Sequence, residues 1–238
     1  MDRIDKLLAS TGRWSRKEAK LLCRQGRVAV DGVPVRAEDK AGGGAALAVD
    51  GRPVELERTV WIMLHKPAGL LSATEDPRQP TVLSLLPERY QRMGLFPVGR
   101  LDKDTEGLLL LTNDGALAHD LLSPKKHVDK VYYVETDGEL TPADADAFGL
   151  GLTLADGYRC LPAELRLLGG SRGEVILREG KYHQIKRMLG SLGRPVTYLK
   201  RVAFGPLALD EGLAKGAWRA LTEEERAALA RAAGRLGP

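Results

Sequence analysis

The stretch GRLDKDTEGLLLLTNDG, residues 99–115, sets a cluster of charges directly before four consecutive leucines. The run Leu108–Leu111 reads as a strand buried on both faces, and Asn113-Asp114-Gly115 as a tight turn that ends it. Gly99 and Gly107 bracket RLDKDTE, which must then be a compact loop delivered to the strand's entrance. Loops held by a rigid strand are where reactive groups tend to sit. The leucines become the expected floor of a pocket, and a carboxylate beside such a floor is shielded from water and feels any nearby cation strongly. Asp102 and Asp104 compete for that role, and each is also readable as a turn-capping residue.

Around this loop the chain mixes strands and helices without strict alternation. TVWIMLHK, KVYYVET and GEVILRE read as strands; PADADAFGLG and QIKRMLGSL read as short helices. LTEEERAALARAAG starts on a Thr222 cap with Glu225 three residues on and continues helically. The expected class is α+β around a large, mostly antiparallel mixed sheet. With 238 residues, 43% of them hydrophobic, the chain has material for one small and one medium domain.

The N-terminal part is organised differently. Ile4, Leu7 and Leu8 are spaced helically, and SRKEAKLLCRQG begins with a capping-box pattern, Ser15 and Glu18, and stops at Gly26. In RVAVDGVPV an Asp31-Gly32 pair between alternating apolar residues marks a hairpin. Residues 1–36 hold nine basic side chains against four acidic ones. Arg13, Arg16, Lys17, Lys20 and Arg24 sit on or beside the second helix, whose opposite face is apolar, a layout suited to binding phosphates. The Gly- and Ala-rich segment after residue 38 carries a second Asp-Gly turn at 50–51, and a domain boundary is expected near residue 58. The division is thus 1–58 and 59–238.

Cys23 and Cys160 belong to no CxxC pair, and the four histidines form no HxxxH or HExxH pair, so neither a disulfide framework nor a zinc site is expected. The opening MDRIDKLLAS lacks the apolar core of a signal peptide, and no apolar run approaches membrane-spanning length. The expectation is a cytoplasmic protein, with nothing that demands more than a monomer.

RIDKLLASTGRWSRKEAKLLCRQGRVAVDGVPV resembles the small RNA-binding module first described in a ribosomal small-subunit protein, the S-four-like domain. That resemblance implies two helices, a small sheet and a grip on structured RNA through the second helix. The longer motif at 99–115 resembles the catalytic motif of the pseudouridine synthases, in the branch with an N-terminal RNA-binding module. Three further stretches agree with it in order: HKPAG (65–69), DKVYYV (129–134) and EGKYHQIKRML (179–189). The resemblance implies that Asp102 is the catalytic carboxylate, that Tyr132 packs against the target base, and that a cation pairs with the Asp. That cation falls on Lys186, where many relatives carry Arg, and the adjacent Arg187 stays open as the partner. Lys supplies charge without the bidentate fork of Arg. Arg100, Lys66, Thr105 and Arg187 are implied as further substrate contacts, joined by the N-terminal basic stripe. YHQIKRM and SATEDPRQPTV are more similar to enzymes of small-subunit (16S) ribosomal RNA than to large-subunit ones, which tend to carry Arg-Glu where this chain has His183-Gln184.

Pseudouridine formation breaks the bond between uracil N1 and the ribose, turns the base and rejoins it through carbon. The atom inventory is unchanged, so no cofactor or metal is expected. One ionised carboxylate is needed, as nucleophile or as base, and a neighbouring cation favours the charged form of a shielded carboxylate. The base must leave the RNA stack at a cost of a few kcal/mol, which an aromatic platform offsets by about 1–3 kcal/mol. Tyr132 and Tyr133 face opposite sides of a strand, so only one of them lines the site. Six basic residues between Lys181 and Arg201 would add phosphate contacts. The partner is expected to be ribosomal RNA, free or in a pre-ribosomal particle. Two other classes stay open: an RNA-binding assembly factor without catalysis, and a Mg²⁺-dependent phosphatase suggested by DKDT. The second lacks the continuous apolar strand before the loop and the downstream acidic pair that its chemistry needs.

Overall fold

A computed structural model describes residues 1–42, 44–56 and 59–235. The chain forms two compact units: Met1–Val60 with Leu83–Phe96, and Trp61–Val82 with the chain from Pro97 on. The division expected at residue 58 assigned Leu83–Phe96 to the second domain, whereas these residues associate with the first unit. The reason is a short helix, Glu88–Arg92, whose Arg89 Nε donates to the Thr11 carbonyl at 3.1 Å. Gly12, at φ +69, lies so close to the Arg89 carbonyl that a Cβ would collide with it.

In the first unit, helices Ile4–Ser10 and Arg16–Arg24 precede a four-stranded antiparallel sheet. The Ser15–Glu18 capping box is formed in both directions, at 3.2 and 2.6 Å. Asp31 and Gly32 both take positive φ, +51 and +81, as the turn between Val28–Val30 and Val33–Pro34 requires. Ile4, Leu7, Leu8, Leu22, Val28 and Leu47 fill the core.

The second unit is built on a large mixed sheet in the spatial order Glu164–Gly169, Arg172–Leu177, Lys130–Thr136, Val196–Phe204, Glu106–Thr112, Trp61–Lys66, Trp218–Ala220. Each neighbour pair along that order is antiparallel except Val196–Phe204 with Glu106–Thr112, which is parallel. Every residue of Glu106–Thr112 is buried, so the leucine run is a central strand, and each leucine so enclosed contributes roughly 1.5–3 kcal/mol of transfer free energy. The turn expected at 113–115 is instead a helix start. Asp114 holds φ −88 and its carboxylate accepts from the Leu117 amide at 3.0 Å, capping helix Gly115–Leu122. A hairpin there would need positive φ at its central residues, and the apolar spacing of GALAHDLL favours the helix. The helices at 142–150, 184–191 and 223–232 form where the sequence places them, the last with its Thr222–Glu225 capping box complete.

Candidate active site

The loop before the leucine strand is held from three directions. Ser72 brackets the Leu101 peptide, its hydroxyl donating to the carbonyl at 2.9 Å and accepting from the amide at 3.1 Å. The Gly69 amide donates to the Lys103 carbonyl at 2.7 Å, and the Thr105 amide to that of Asp102 at 3.1 Å. Lys66, at the end of strand Trp61–Lys66, is fully buried. Its ammonium lies 2.8–3.2 Å from the carbonyls of Pro67, Asp102, Lys103 and Thr105. Burial pushes this group down to about 8, against the opposing pull of Asp104, Asp102 and Glu106. Lys66 therefore keeps its proton at neutral pH and organises the loop from inside. Its expected place among the substrate contacts is corrected, because no part of it reaches the surface.

The loop presents Asp102 to a cleft of about 440 Å³. The Asp102 side chain is 27% exposed. Its Oδ2 is 3.2 Å from Lys186 Nζ, and its Oδ1 is 3.6 Å from His183 Nε2. Lys186 also donates to Asp104 Oδ1 at 2.5 Å. Burial works against the Lys186 charge, yet the bond to Asp104 and the two carboxylates hold its pKa above the usual lysine value. Asp104 is held below the usual carboxylate range by the same bond. Its side chain is 74% exposed, so of the two loop carboxylates Asp102 is the one set into the cleft. Arg187 points elsewhere, pairing with Asp156 at 2.5 Å. The partner left open between 186 and 187 is thus Lys186, and Arg187 is absent from the cleft lining.

Tyr132 and Leu199, from the adjacent strands Lys130–Thr136 and Val196–Phe204, line the cleft, while Tyr133 faces away and bonds Glu135 at 2.7 Å. The apolar lining is Leu101, Leu122, Leu177, Ile185 and Leu199. The leucine run lies behind this surface and is not the pocket floor itself. A glycine is required at 107, because at φ +104 any Cβ would strike the Arg201 backbone across the one parallel strand pair. Arg100 is exposed and lines the cleft. Thr105 also lines it, with a buried hydroxyl that has no hydrogen-bond partner.

Two cations in the wall were not singled out by the sequence. Arg201, which charge alone counted among phosphate contacts, is 1% exposed; its Nε donates to the Leu108 carbonyl at 2.7 Å. Its guanidinium lies 6.0 Å from the Tyr132 ring centre and 5.3 Å from that of Phe204. Lys130 is also buried, with Nζ 5.5 Å from the Phe204 ring, and burial followed by repulsion from Arg201 pushes its pKa down to about 8. The β-branched and aromatic content of VTYLKRVAF was the available signal for this strand. Five cations and one carboxylate thus line the cleft: Arg100, Lys130, Lys181, Lys186 and Arg201 around Asp102. Such a wall suits a ring that becomes negatively charged as its bond to a sugar breaks.

In the first unit Arg13, Arg16, Lys17, Lys20 and Arg24 are all exposed. Lys20 lies 3.9 Å from the buried Asp5, which Arg3 also holds at 3.0 Å. Arg27 is engaged with Asp50 through two bonds of 2.6–2.7 Å.

Residues 60–191 match the RNA pseudouridylate synthase family, and residues 2–47 match the S4 domain. The chain belongs to the pseudouridine synthases: it is an isomerase acting on RNA, with an S4 RNA-binding domain ahead of the catalytic one. It is 45% identical to an uncharacterised RNA pseudouridine synthase of Bacillus subtilis, over 94% of this chain and 96% of that one. It is 41% identical to the ribosomal small subunit pseudouridine synthase A of Pseudomonas aeruginosa, over 94% and 98%. A solved pseudouridylate synthase superposes with a TM-score of 0.69 at 31% identity, covering 96% of this chain and 100% of that one. The phosphatase and the non-catalytic readings give way to this membership. Among the described residues no helix is long and apolar enough to cross a membrane.

Lys186 separates two carboxylates, which makes it sensitive to substitution. Lys186→Met is expected to lower kcat by roughly a hundredfold or more, since two like charges then face each other with no cation between them. Lys186→Arg should recover most of that loss. Single-turnover rates for the two variants check both expectations.

Proposed function

We propose that this protein isomerises one uridine of ribosomal RNA, in the small-subunit (16S) molecule, with Asp102 as the acting carboxylate. The observation that carries this reading is the placement of Asp102 in the cleft, 3.2 Å from Lys186, in a wall that also holds Tyr132. The target uridine leaves its stack, its ring lies against Tyr132, and Asp102 meets the sugar as nucleophile or as base. Lys130 and Arg201 face the detached base. The similarity to small-subunit enzymes, together with His183-Gln184, supports the 16S assignment. The N-terminal domain, residues 1–58, grips structured RNA through Arg13, Arg16, Lys17, Lys20 and Arg24, and residues 59–238 supply the catalytic domain apart from Leu83–Phe96, which cluster with the first unit. The protein works in the cytoplasm as a monomer, on free RNA or an assembling particle.

The test is incubation with undermodified 16S and 23S ribosomal RNA, without added metal, followed by mapping of pseudouridines. One new site in 16S is expected; a site confined to 23S would move the assignment to the large subunit, and no site in either would end it. The N-terminal grip makes a separate expectation. Changing Arg16, Lys17, Lys20 and Arg24 together to Gln should flatten the slope of log Kd against log salt by roughly 0.7–0.9 per lost phosphate contact. An unchanged slope would remove the helix from the RNA interface.

A further inference from the structure

We propose that Tyr182, stacked on His183 beside the cleft, is a platform for the nucleobase next to the target uridine in the RNA chain. This rests on the reading of the cleft as the site of a flipped uridine. Tyr182 is 73% exposed, the one Phe, Tyr or Trp side chain among the described residues that stands out in solvent. Its ring lies 3.8 Å from that of His183 at an interplanar angle of 17°, so one face is occupied and the other is free. Both residues line the cleft, and His183 is 3.6 Å from Asp102.

The stack is built in advance of any ligand. His183 holds a left-handed backbone, φ +48 and ψ +34, which a non-glycine residue keeps only when its surroundings enforce it. Here they do. The buried Glu179 accepts from the Tyr158 hydroxyl at 2.8 Å, the Leu161 amide at 2.8 Å and Gln184 Nε2 at 2.6 Å. Gln184 Oε1 in turn accepts from the Lys181 amide at 3.0 Å. The turn carrying Tyr182 and His183 is pinned from beneath, so the two rings need little ordering when RNA arrives, and preorganisation of this kind is retained as affinity.

Flipping a uridine leaves its neighbour without a stacking partner. A free tyrosine face close to the catalytic carboxylate replaces that partner, and Lys181 and Arg100 are placed in the same lining for the flanking phosphates. Base–aromatic stacking tolerates any base, and a purine offers the larger overlap, so the site favours a purine neighbour.

The experiment uses the full-length protein and a short ribosomal RNA fragment spanning the mapped uridine, with 2-aminopurine at each flanking position in turn. Fluorescence is read in an Asp102→Asn background, where substrate is not consumed, and kinetics in the otherwise native protein. Quenching at one flanking position is expected, lost in Tyr182→Leu and kept in Tyr182→Phe. Tyr182→Leu should also raise KM about tenfold, more than it lowers kcat, with Tyr182→Phe close to native. Quenching that survives Tyr182→Leu, or a Tyr182→Phe variant as impaired as Tyr182→Leu, would overturn the platform. Failure of the functional reading shows separately, as the absence of pseudouridine in the native reaction.

Discussion

Asp102→Asn is expected to lower kcat by about a thousandfold or more while leaving RNA affinity within about threefold. The amide keeps the size and shape of the carboxylate but neither attacks a sugar carbon nor accepts its proton. The fold has little stake in the change. The main chain at 102 is held by Lys66 and by the Thr105 amide, and its neighbour Leu101 by Ser72; none of these bonds uses the Asp102 side chain. Lys186 retains Asp104 at 2.5 Å, so the cation stays in place. Asp104→Asn is the matched control: that side chain is 74% exposed, and its loss should cost less than about tenfold. Single-turnover assays with both variants, alongside thermal melts, separate chemistry from folding. A fully active Asp102→Asn protein would mean that the wrong carboxylate has been identified.

The parts of this architecture written in local chemistry were legible from the sequence. Capping boxes at Ser15 and Thr222, the Asp31-Gly32 hairpin and the uniform run Leu108–Leu111 each specify their structure within a few residues, and each formed as read. Asn113-Asp114-Gly115 misled because the same residues that favour a turn also cap a helix, and the choice falls to the apolar spacing downstream. Asp102 and Lys186 were placed by family resemblance, and distance then chose Lys186 over Arg187, something adjacent positions on one helix do not reveal in one dimension. What was illegible was burial of charge. The resemblance assigns Lys66 to the substrate, a count of charge assigns Arg201 to phosphate, and neither gives Lys130 a role; all three are buried. Whether a cation faces phosphate or a cage of carbonyls depends on which strands become neighbours, and the pairing of Val196–Phe204 with both Lys130–Thr136 and Glu106–Thr112 is entirely long-range.

Lys66→Met tests that last point and should be the most destabilising single change in the catalytic domain apart from substitutions in its leucine core. Four carbonyls converge on the ammonium within 3.2 Å. Methionine fills most of the same volume but donates nothing, so these oxygens lose a charged donor that water cannot easily replace. The Asp102 and Lys103 carbonyls keep the amides of Thr105 and Gly69 as donors, so the main loss falls on those of Pro67 and Thr105; buried polar groups left unpaired cost about 1–3 kcal/mol each. Allowing for relaxation of the exposed parts of the loop, a loss of about 3–5 kcal/mol is expected, or roughly 6–20 °C in Tm for a domain of this size. Activity should fall at least as far as in Lys186→Met, because the carbonyl of Asp102 is itself one of the four. The two losses have different physical origins and separate cleanly: Lys66→Met moves Tm and kcat together, whereas Asp102→Asn moves kcat alone. Lys66→Arg does not rescue, since a planar fork cannot point at four oxygens arranged around a single ammonium. If Lys66→Met instead melts like the native protein and loses only RNA affinity, the lysine faces the nucleic acid after all, and the loop that carries Asp102 is held by Ser72 and by the Gly69 and Thr105 amides.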